Sequence, residues 1–336
     1  MLTLQPHRRS FLAIRSRRRS VARAARRFTT LIAAALVFLV LPATGRADWG
    51  PLGDTINPGP SFSGRRPVVT DVGGTPYIAW VERDPSLNRD DIKVARWTGS
   101  AWEIVGQPLN GYGTVSPPAI TTVGGVPYVA FVEFPTSAAV SQVYVSKLNG
   151  AGDGWVDVGG GPINHDPLNG DAQEVSIATV GSVPYVAFTE TAATEYNLWV
   201  KKLEGGSWAA VGGQLNVNPV NAFAPVIAGI GGDPYVTWLS DGDGAGMNSE
   251  SGLRVSRFSG SSWAGVGGKL RNDLGCCGHH LADVGGVPTI LFSRQGSGDT
   301  TTYVVQQWDG TIWSSLGDPL NDPLTDQAYG DGSIAT

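Results

Sequence analysis

Three glutamates recur at one position of a repeated segment and could supply acid and base groups to a site. Each closes a short apolar segment, PYIAWVE, PYVAFVE or PYVAFTE, and they are Glu82, Glu133 and Glu190. Two neighbouring carboxylates can work as a general acid and base, or can bind a cation or the hydroxyls of a sugar. A repeat that copies its own strand-end residue gives the same pattern without any function, and this interpretation stays open.

The segment GCCGHH, from Gly275 to His280, contains the only two cysteines of the chain. The adjacent Cys276 and Cys277 could form a strained vicinal disulfide in an exported protein, or they could be free, packed thiols. Together with His279 and His280 they could instead bind Zn²⁺ or copper, although the spacing matches no established zinc motif. All three interpretations stay open.

An acidic loop offers oxygen ligands of the kind that Ca²⁺ takes. Its sequence is SDGDGAGMNSE, and Asp241, Asp243 and Asn248 supply the ligands. The loop lacks the remaining positions of an EF-hand, so a flexible polar loop is the competing interpretation. We therefore predict no obligatory cofactor, with Ca²⁺ and Zn²⁺ as the ions to test.

These residues belong to a unit that repeats five times along the chain. A tryptophan marks the unit at intervals of 50 to 55 residues, at Trp102, Trp155, Trp208, Trp263 and Trp313. Each unit is predicted to form four short strands, A to D, with a glycine–proline turn such as VGGVP between strands A and B. A fixed period of this length is typical of propellers, solenoids and arrays.

Strand B favours a propeller because both of its faces are apolar. In PYVAFVE, Tyr128, Ala130 and Val132 alternate with Val129 and Phe131, so the sheet should be covered on both sides. Four-stranded blades stacked around a ring cover both faces of each sheet. The sequence therefore predicts an all-β fold, a β-propeller of four-stranded blades, with a β-solenoid as the alternative.

The five units are predicted to span 67–106, 117–159, 174–212, 224–267 and 281–317. The A–B turn has the same length in all of them, whereas the D–A and B–C loops vary and share one rim of a propeller. Function tends to lie on variable loops held by a rigid scaffold. We therefore expect a binding site on this rim, called the variable rim below, which carries the glutamates, the acidic loop and the GCCGHH segment.

Residues 1–47 are predicted to be a signal peptide, followed by a propeller domain at 48–336. This leader contains ten arginines, no acidic residue and an apolar run of eleven residues from Leu31 to Leu41. Such a run suits a signal peptide and is short for a membrane span. We expect a secreted or cell-envelope protein that is outside the membrane in its mature form, with an uncleaved anchor as the alternative.

The charge of the mature domain restricts its partners. The chain has 24 basic and 29 acidic residues, and ten of the basic residues lie in the leader. The domain that remains is strongly acidic, which argues against nucleic acid or an anionic membrane as a partner. We expect an extracellular glycan or protein ligand, and a monomeric protein.

The repeat is incomplete at both ends of the sequence. Trp49 to Gly53 is similar to a strand D that lacks strands A to C, and SIAT at Ser333 matches the strand A segment at Ser176. These two pieces amount to half a blade. We expect the sequence to be part of a six-bladed or larger ring, with a five-bladed ring and two redundant end strands as the alternative.

The repeat resembles those of secreted sialidase-like and kelch-like propellers over roughly residues 49–336. The GGxPY turn and the hairpin WDGTIW, from Trp308 to Trp313, carry the resemblance. The resemblance implies a propeller fold. Sialidases have a longer Asp-box, S-x-D-x-G-x-T-W, at this hairpin, together with three substrate-binding arginines and a tyrosine nucleophile. Only RRPV, from Arg65, is similar to one of those motifs, so no catalytic residue is assigned.

The first functional hypothesis is therefore an exported, non-catalytic binding module for extracellular glycan or protein ligands. The alternative is a glycan-active hydrolase or lyase of sialidase-like fold that uses the carboxylates of the variable rim. A third hypothesis is a structural propeller in an envelope assembly. Fold alone does not decide among these hypotheses, because one fold supports many functions.

Overall fold

A computed structural model describes most of the repeat region. The described residues are 50–56, 63–113, 116–192, 194–217, 220–241, 251–271, 278–295, 301–321 and 333–334. The leader, Asp243, Cys276 and Cys277 lie outside them. The chain divides into two units, Met1–Gly50 and Pro51–Thr336, and the second unit contains all of the strands described below. Among the described residues, no helix has the length and apolar character to span a membrane.

Within the described residues, twenty strands form five four-stranded antiparallel sheets, each in simple sequence order. The first two sheets are β1 (Ser63–Val72), β2 (Thr75–Asp84), β3 (Arg89–Trp97) and β4 (Trp102–Ile104), then β5 (Ala119–Val123), β6 (Val126–Glu133), β7 (Gln142–Leu148) and β8 (Trp155–Asp157). The third sheet is β9 (Asp171–Val180), β10 (Val183–Ala192), β11 (Glu195–Glu204) and β12 (Ser207–Ala210). The last two are β13 (Ala222–Ile230), β14 (Asp233–Ser240), β15 (Gly252–Phe258) and β16 (Trp263–Gly265), then β17 (His279–Val284), β18 (Val287–Gln295), β19 (Thr301–Trp308) and β20 (Trp313–Ser315).

The first strands of successive sheets lie side by side, which makes them the inner strands of the assembly. β1 contacts β5, β5 contacts β9, β9 contacts β13, and β13 contacts β17. Each sheet then extends outward through its second and third strands to a short fourth strand. This arrangement is that of a β-propeller, and the predicted fold class is confirmed.

The core consists of apolar layers between neighbouring sheets. Ala130 and Val132 of β6 pack towards Phe188 of the third sheet, whereas Val129 and Phe131 pack towards the first sheet. Phe131, Phe188 and Phe292 are among the largest fully buried side chains. The two-faced burial of the second strand therefore agrees with the sequence-based argument, and it explains why each sheet needs a neighbour on both sides.

The recurring tryptophan joins each sheet to the preceding repeat. The indole N–H of Trp208 donates to the carbonyl of Val158 at 2.8 Å, and Gly159 lies against the ring with a φ of 89°. The other tryptophans do the same, with Trp102, Trp155, Trp263 and Trp313 donating to Leu52, Val105, Val211 and Val266. Leu52, in the segment predicted to be a lone strand D, thus accepts the same tryptophan hydrogen bond as Val105, Val158, Val211 and Val266.

Candidate functional site

In four of the five repeats, an asparagine that the sequence analysis missed holds the loop after strand D against the third strand. Asn164 Oδ1 accepts the backbone N–H of Val143 at 2.8 Å, and its Nδ2 donates to the carbonyls of Ser141 and Gly170 at 3.0 and 2.7 Å. Equivalent side chains accept from Ile92, Leu198 and Tyr303, and they are Asn110, Asn216 and Asn321. The recurring LN or IN dipeptide after strand D was the signal that could have revealed them.

Two of the recurring glutamates bind the same loops from the opposite side. The carboxylate of Glu190 accepts the backbone N–H groups of His165 and Asp166 at 2.7 and 2.8 Å. Glu133 accepts the backbone N–H of Tyr112 in the corresponding loop. Both side chains are buried, and burial raises the pKa of each carboxyl above its ordinary value. These contacts give the recurrence a structural cause, whereas a binding role for the two glutamates stays a prediction.

The third recurring glutamate has a different set of partners. Glu82 is fully buried, forms an ion pair with Lys93 of β3 and accepts the indole N–H of Trp80 at 3.3 Å. Its carboxylate is thus occupied inside the first sheet. Glu133 is the last residue of β6, whereas Glu82 and Glu190 lie two residues before the ends of β2 and β10. Each of the three carboxylates is bonded to groups of the chain itself.

The inner strands reach the variable rim through irregular backbone. Register shifts interrupt β1 between Arg65 and Val68 and β13 between Phe223 and Val226. Within these bulges, Arg66 and Ala224 have φ angles of 54° and 48°. Both precede a proline, which disfavours the right-handed helical conformation at the residue before it. Bulges of this kind redirect side chains and are frequent beside active sites.

Glu174 of β9 lies beside these bulges. Its Oε2 accepts the backbone N–H of Ala224 at 2.6 Å, which ties the third sheet to the fourth. Burial raises the pKa of the Glu174 carboxyl, while the hydrogen bond from Ala224 and the charge of Arg66 act in the opposite direction. A half-buried carboxyl beside an exposed arginine is an arrangement that can exchange a proton with a ligand.

An aromatic pair and a second carboxylate flank the same stretch of β13. Phe223 packs on Tyr196 with ring centroids 5.0 Å apart, and both rings are half-buried. Asp241 Oδ2 accepts the Nδ2 of Asn221 at 3.3 Å, and its buried Oδ1 has no partner among the described residues. Glu174, Arg66, Phe223, Tyr196 and Asp241 together are called the inner-rim cluster below.

The two histidines of the GCCGHH segment begin an inner strand rather than lying in a loop. His279 is buried, and burial together with the charge of Arg271 lowers its pKa to about 3. His280 Nδ1 accepts the backbone N–H of Ile334 at 3.3 Å, and burial lowers its pKa as well. The sequence analysis had assigned both histidines to the D–A loop. Strand β17 begins at His279 because its pairing with β18 extends to Phe292.

The metal hypotheses stay predictions. Among the described residues, no group of three or more histidine, cysteine, aspartate or glutamate side chains could hold a metal ion. Cys276 and Cys277, with the proposed disulfide or metal site, lie outside that part of the chain, and so do Asp243 and Asn248 of the proposed calcium loop. His279, His280 and Asp241 are described, and the structure gives each of them the position stated above.

Comparisons with known proteins define the class of fold. No family model and no curated protein sequence matches the chain. An alpha-L-arabinanase from Penicillium chrysogenum has a similar structure, with a TM-score of 0.55 and 13% identity over 75% of this chain and 80% of that one. An alpha-L-arabinofuranosidase from Fusarium graminearum has a TM-score of 0.52 and 12% identity, and the match covers the same shares of the two chains.

A mutant of the Trypanosoma rangeli sialidase is a weaker match. Its TM-score is 0.49 at 14% identity, and the match covers 76% of this chain and 48% of the sialidase. The two matches with TM-scores above 0.5 agree with the β-propeller fold of this chain. The kelch-like part of the sequence resemblance receives no support from these comparisons.

Proposed function

We propose that the protein is a glycan-active hydrolase that binds a sugar at the inner-rim cluster. The observation that carries this proposal is the half-buried Glu174, whose raised pKa suits a carboxyl that must donate a proton. The solved arabinanase and arabinofuranosidase of similar fold add support, because their chemistry belongs to this class. The proposal departs from the first hypothesis of the sequence analysis and adopts its alternative.

Hydrolysis of a glycosidic bond generally needs two carboxyl groups, one to protonate the leaving oxygen and one to act as base or nucleophile. Glu174 is the proton donor in our proposal. Asp241 supplies the second carboxylate, because it contacts Asn221, directly before β13, while Glu174 contacts Ala224, three positions further along the chain and within β13. The two groups therefore flank one short stretch of β13.

The other members of the cluster bind and orient the sugar. The half-buried rings of Phe223 and Tyr196 offer an apolar face for the C–H groups of a sugar ring, while their polar neighbours bind its hydroxyls. Arg66 is exposed and carries a positive charge near Glu174. It stabilises the glutamate after the proton has left, which favours proton release in the first step.

The test is to incubate the protein with arabinan, aryl arabinofuranosides and a wider panel of polysaccharides and to measure the release of reducing sugar. We expect Glu174→Gln to lower kcat by roughly a hundredfold to ten-thousandfold, the usual contribution of a general acid. Glu204→Gln is the matched control, because Glu204 is exposed at the opposite rim and pairs only weakly with Lys202. Wild-type activity in folded Glu174→Gln would overturn the assignment.

A pH profile gives a second, independent readout. The rate of the wild type should fall as the pH rises through the raised pKa of Glu174, because the donor must be protonated to act. This limb should be absent from any residual activity of Glu174→Gln. A profile that is the same in both proteins would assign the proton to another group.

Binding without turnover is the second candidate function. Glu82, Glu133 and Glu190 favour this function, because their carboxylates are already bonded to other groups of the chain. Carboxylates with such partners are poor candidates for catalysis. In this case the wild type would bind a glycan of the panel without cleaving it. Phe223→Ala should then abolish binding, whereas Glu174→Gln should retain it. Failure to bind or cleave any glycan would contradict both candidates.

We also propose that the protein is exported and loses the predicted leader, Met1 to Ala47. The support is the arginine-rich start followed by a short apolar run. An extracellular location would bring the inner-rim cluster to polysaccharides. Mass spectrometry of the secreted protein should find a new N-terminus at Asp48, and an intact Met1 would contradict cleavage.

A further inference from the structure

The second and third sheets carry an aromatic ring at the same position of their third strands. Tyr144 of β7 lies directly opposite Phe131, and Trp199 of β11 lies directly opposite Phe188. The pairing register therefore makes Tyr144 and Trp199 equivalent residues of two repeats. Both rings are half-buried and lie near the start of their strands, on the side of the variable rim.

In the third sheet, the chain covers this ring itself. His165, in the loop that follows the second sheet, stacks on Trp199 with ring centroids 3.5 Å apart and ring planes inclined by only 4°. Glu190 fixes the loop in this position by accepting the backbone N–H of His165 at 2.7 Å. The place over the third-strand ring thus has room for a flat ring, and an imidazole occupies it.

In the second sheet, the same place holds no side chain. The asparagine that anchors the loop is Asn164 in one repeat and Asn110 in the other, so Gly111 is the equivalent of His165. Among the described residues, a Cβ built on Gly111 would meet only Glu133 Oε1, at 3.7 Å, which is an ordinary contact distance. The space that the imidazole fills in one repeat is therefore open in the other.

The ring of Tyr144 is fixed beside this open space. It packs against Phe131 of its own sheet, with ring centroids 5.8 Å apart and ring planes inclined by 24°. Its hydroxyl donates to Gln142 Oε1 at 2.9 Å, which holds the ring in place. No other aromatic ring of the described residues stacks on it. A fixed aromatic ring beside an open space is a place where a ligand ring can stack.

Two exposed aromatic side chains flank the same space. Tyr112 directly follows Gly111 and is 40% exposed, and Phe134 directly follows Glu133 and is 46% exposed. Hydrogen bonds bring the two segments together, because the backbone N–H of Tyr112 donates to Glu133 and that of Phe134 donates to the carbonyl of Gly113 at 3.3 Å. Exposed apolar groups that lie together in this way often mark a binding surface.

We propose that Tyr144, Tyr112 and Phe134 form a subsite for one sugar ring of a neutral glycan, called the Tyr144 subsite below. The C–H face of the sugar stacks on Tyr144, as His165 stacks in the next repeat, and the hydroxyls of the two tyrosines bond to those of the sugar. The carboxyl of Glu133 beside the space disfavours an acidic sugar.

The choice of a glycan as the ligand rests on the proposed function, whereas the open space beside Tyr144 does not. The subsite shares no residue with the inner-rim cluster, so it binds a different sugar of the same polymer. Two weak contacts with one chain add to its affinity, because the second contact forms at a high effective concentration. The Tyr144 subsite therefore favours a polysaccharide over a short oligosaccharide.

Affinity electrophoresis in native gels that contain arabinan, xylan or mixed-linkage β-glucan tests the proposal. The whole protein carries Glu174→Gln to suppress cleavage, and we expect at least one polymer to retard it. Gly111→His places an imidazole over Tyr144 and should weaken the apparent affinity by roughly tenfold, the order expected for one aromatic contact. Gly213→His is the matched control and should have no effect, because Gly213 is an exposed loop glycine of another repeat with open space around it.

His165→Gly makes the opposite change. It uncovers Trp199, should create a second subsite of the same kind and should be retarded more strongly than its parent. Cleavage is measured separately in the wild type, so a protein that is retarded without cleaving any glycan refutes the hydrolase and retains the subsite. No retardation by any of the three polymers, or equal retardation of the parent and folded Gly111→His, would overturn the Tyr144 subsite.

Discussion

Replacement of Asn164 by alanine tests the account of how the variable rim is held. The side chain is only 3% exposed and forms three hydrogen bonds, one accepted from Val143 and two donated to Ser141 and Gly170. Asn164→Ala removes all three and leaves one backbone donor and two backbone acceptors buried without their partner. The methyl group of alanine fills little of the space.

The cost follows from the net value of a hydrogen bond in a protein. At about 1 kcal/mol for each bond, the variant should lose about 3 kcal/mol of unfolding free energy. For a domain of this size, that corresponds to a fall in Tm of roughly 6 to 12 °C. Urea titrations followed by tryptophan fluorescence measure the change in free energy, and calorimetry measures the change in Tm.

The same loop offers a matched control. Asn169 is exposed and bonds only within the loop, to Asp166, so Asn169→Ala should change the unfolding free energy by less than about 0.5 kcal/mol. A loss below 0.5 kcal/mol in Asn164→Ala, equal to that of the control, would refute the reasoning. It would mean that water satisfies these backbone groups as well as the asparagine does.

Two further perturbations follow from particular side chains. Folding lowers the pKa of His279 from 6.5 to about 3, so the stability that the neutral imidazole contributes is fully present above pH 6.5 and is lost as the pH falls. A change from pH 6.5 to about 5 should lower the unfolding free energy by about 2 kcal/mol in urea titrations. The variant His279→Gln should lack this pH dependence. The raised pKa values of Glu133 and Glu190 make the protein less stable as the pH rises, which is the opposite dependence. Both glutamates are present in the wild type and in His279→Gln, so their contribution cancels when the two proteins are compared. Gly159→Ala should lower the unfolding free energy by more than 2 kcal/mol in calorimetry because a Cβ would clash with the Trp208 ring, whereas Gly160→Ala, with a similar φ and open space around it, should cost only about 1 kcal/mol. Equal losses in the two glycine variants would show that backbone strain alone matters.

The fold could be predicted from the sequence because the second strand reports its surroundings directly. Alternation in PYVAFVE gives two apolar faces, and in the structure those faces pack against two different sheets. The tryptophan period sets the length of a repeat, and the structure uses that period to join successive repeats. Strand boundaries were less accurate: β1 begins at Ser63 and β17 at His279, whereas the predicted units began at 67 and 281.

The inner-rim cluster was beyond reach of the sequence analysis for a physical reason. Burial raises the pKa of Glu174, and the groups that contact it or lie near it, Ala224 and Arg66, come from two other sheets and approach it only after the propeller has formed. The bulges that redirect Arg66 and Ala224 leave only a proline in the sequence as a sign. Nothing in a linear pattern of residues joins these three positions.

Residues that recur from repeat to repeat belong to the scaffold, and residues that depart from the repeat are better candidates for function. Asn164 and Glu190 have counterparts in other repeats that also bind a variable loop, Asn110 and Glu133 among them, so recurrence identifies the scaffold. Departures from the repeat are more informative. Arg271, for example, replaces an asparagine and donates to Ser293 Oγ of the next sheet at 3.1 Å.

The replacement at Arg271 shows how a repeat adjusts around such a departure. Where the other repeats use an asparagine side chain, the N–H of Leu253 donates to the backbone carbonyl of Arg271 at 3.3 Å. That closer approach requires Gly252, because a Cβ at this position would overlap the same carbonyl. Arg271 is therefore accommodated only with a glycine at position 252 of β15; Ala224 belongs to the same sheet, and Asp241 directly follows its second strand. The fourth sheet lacks the asparagine contact that the other sheets share, and binding groups can therefore be placed beside it.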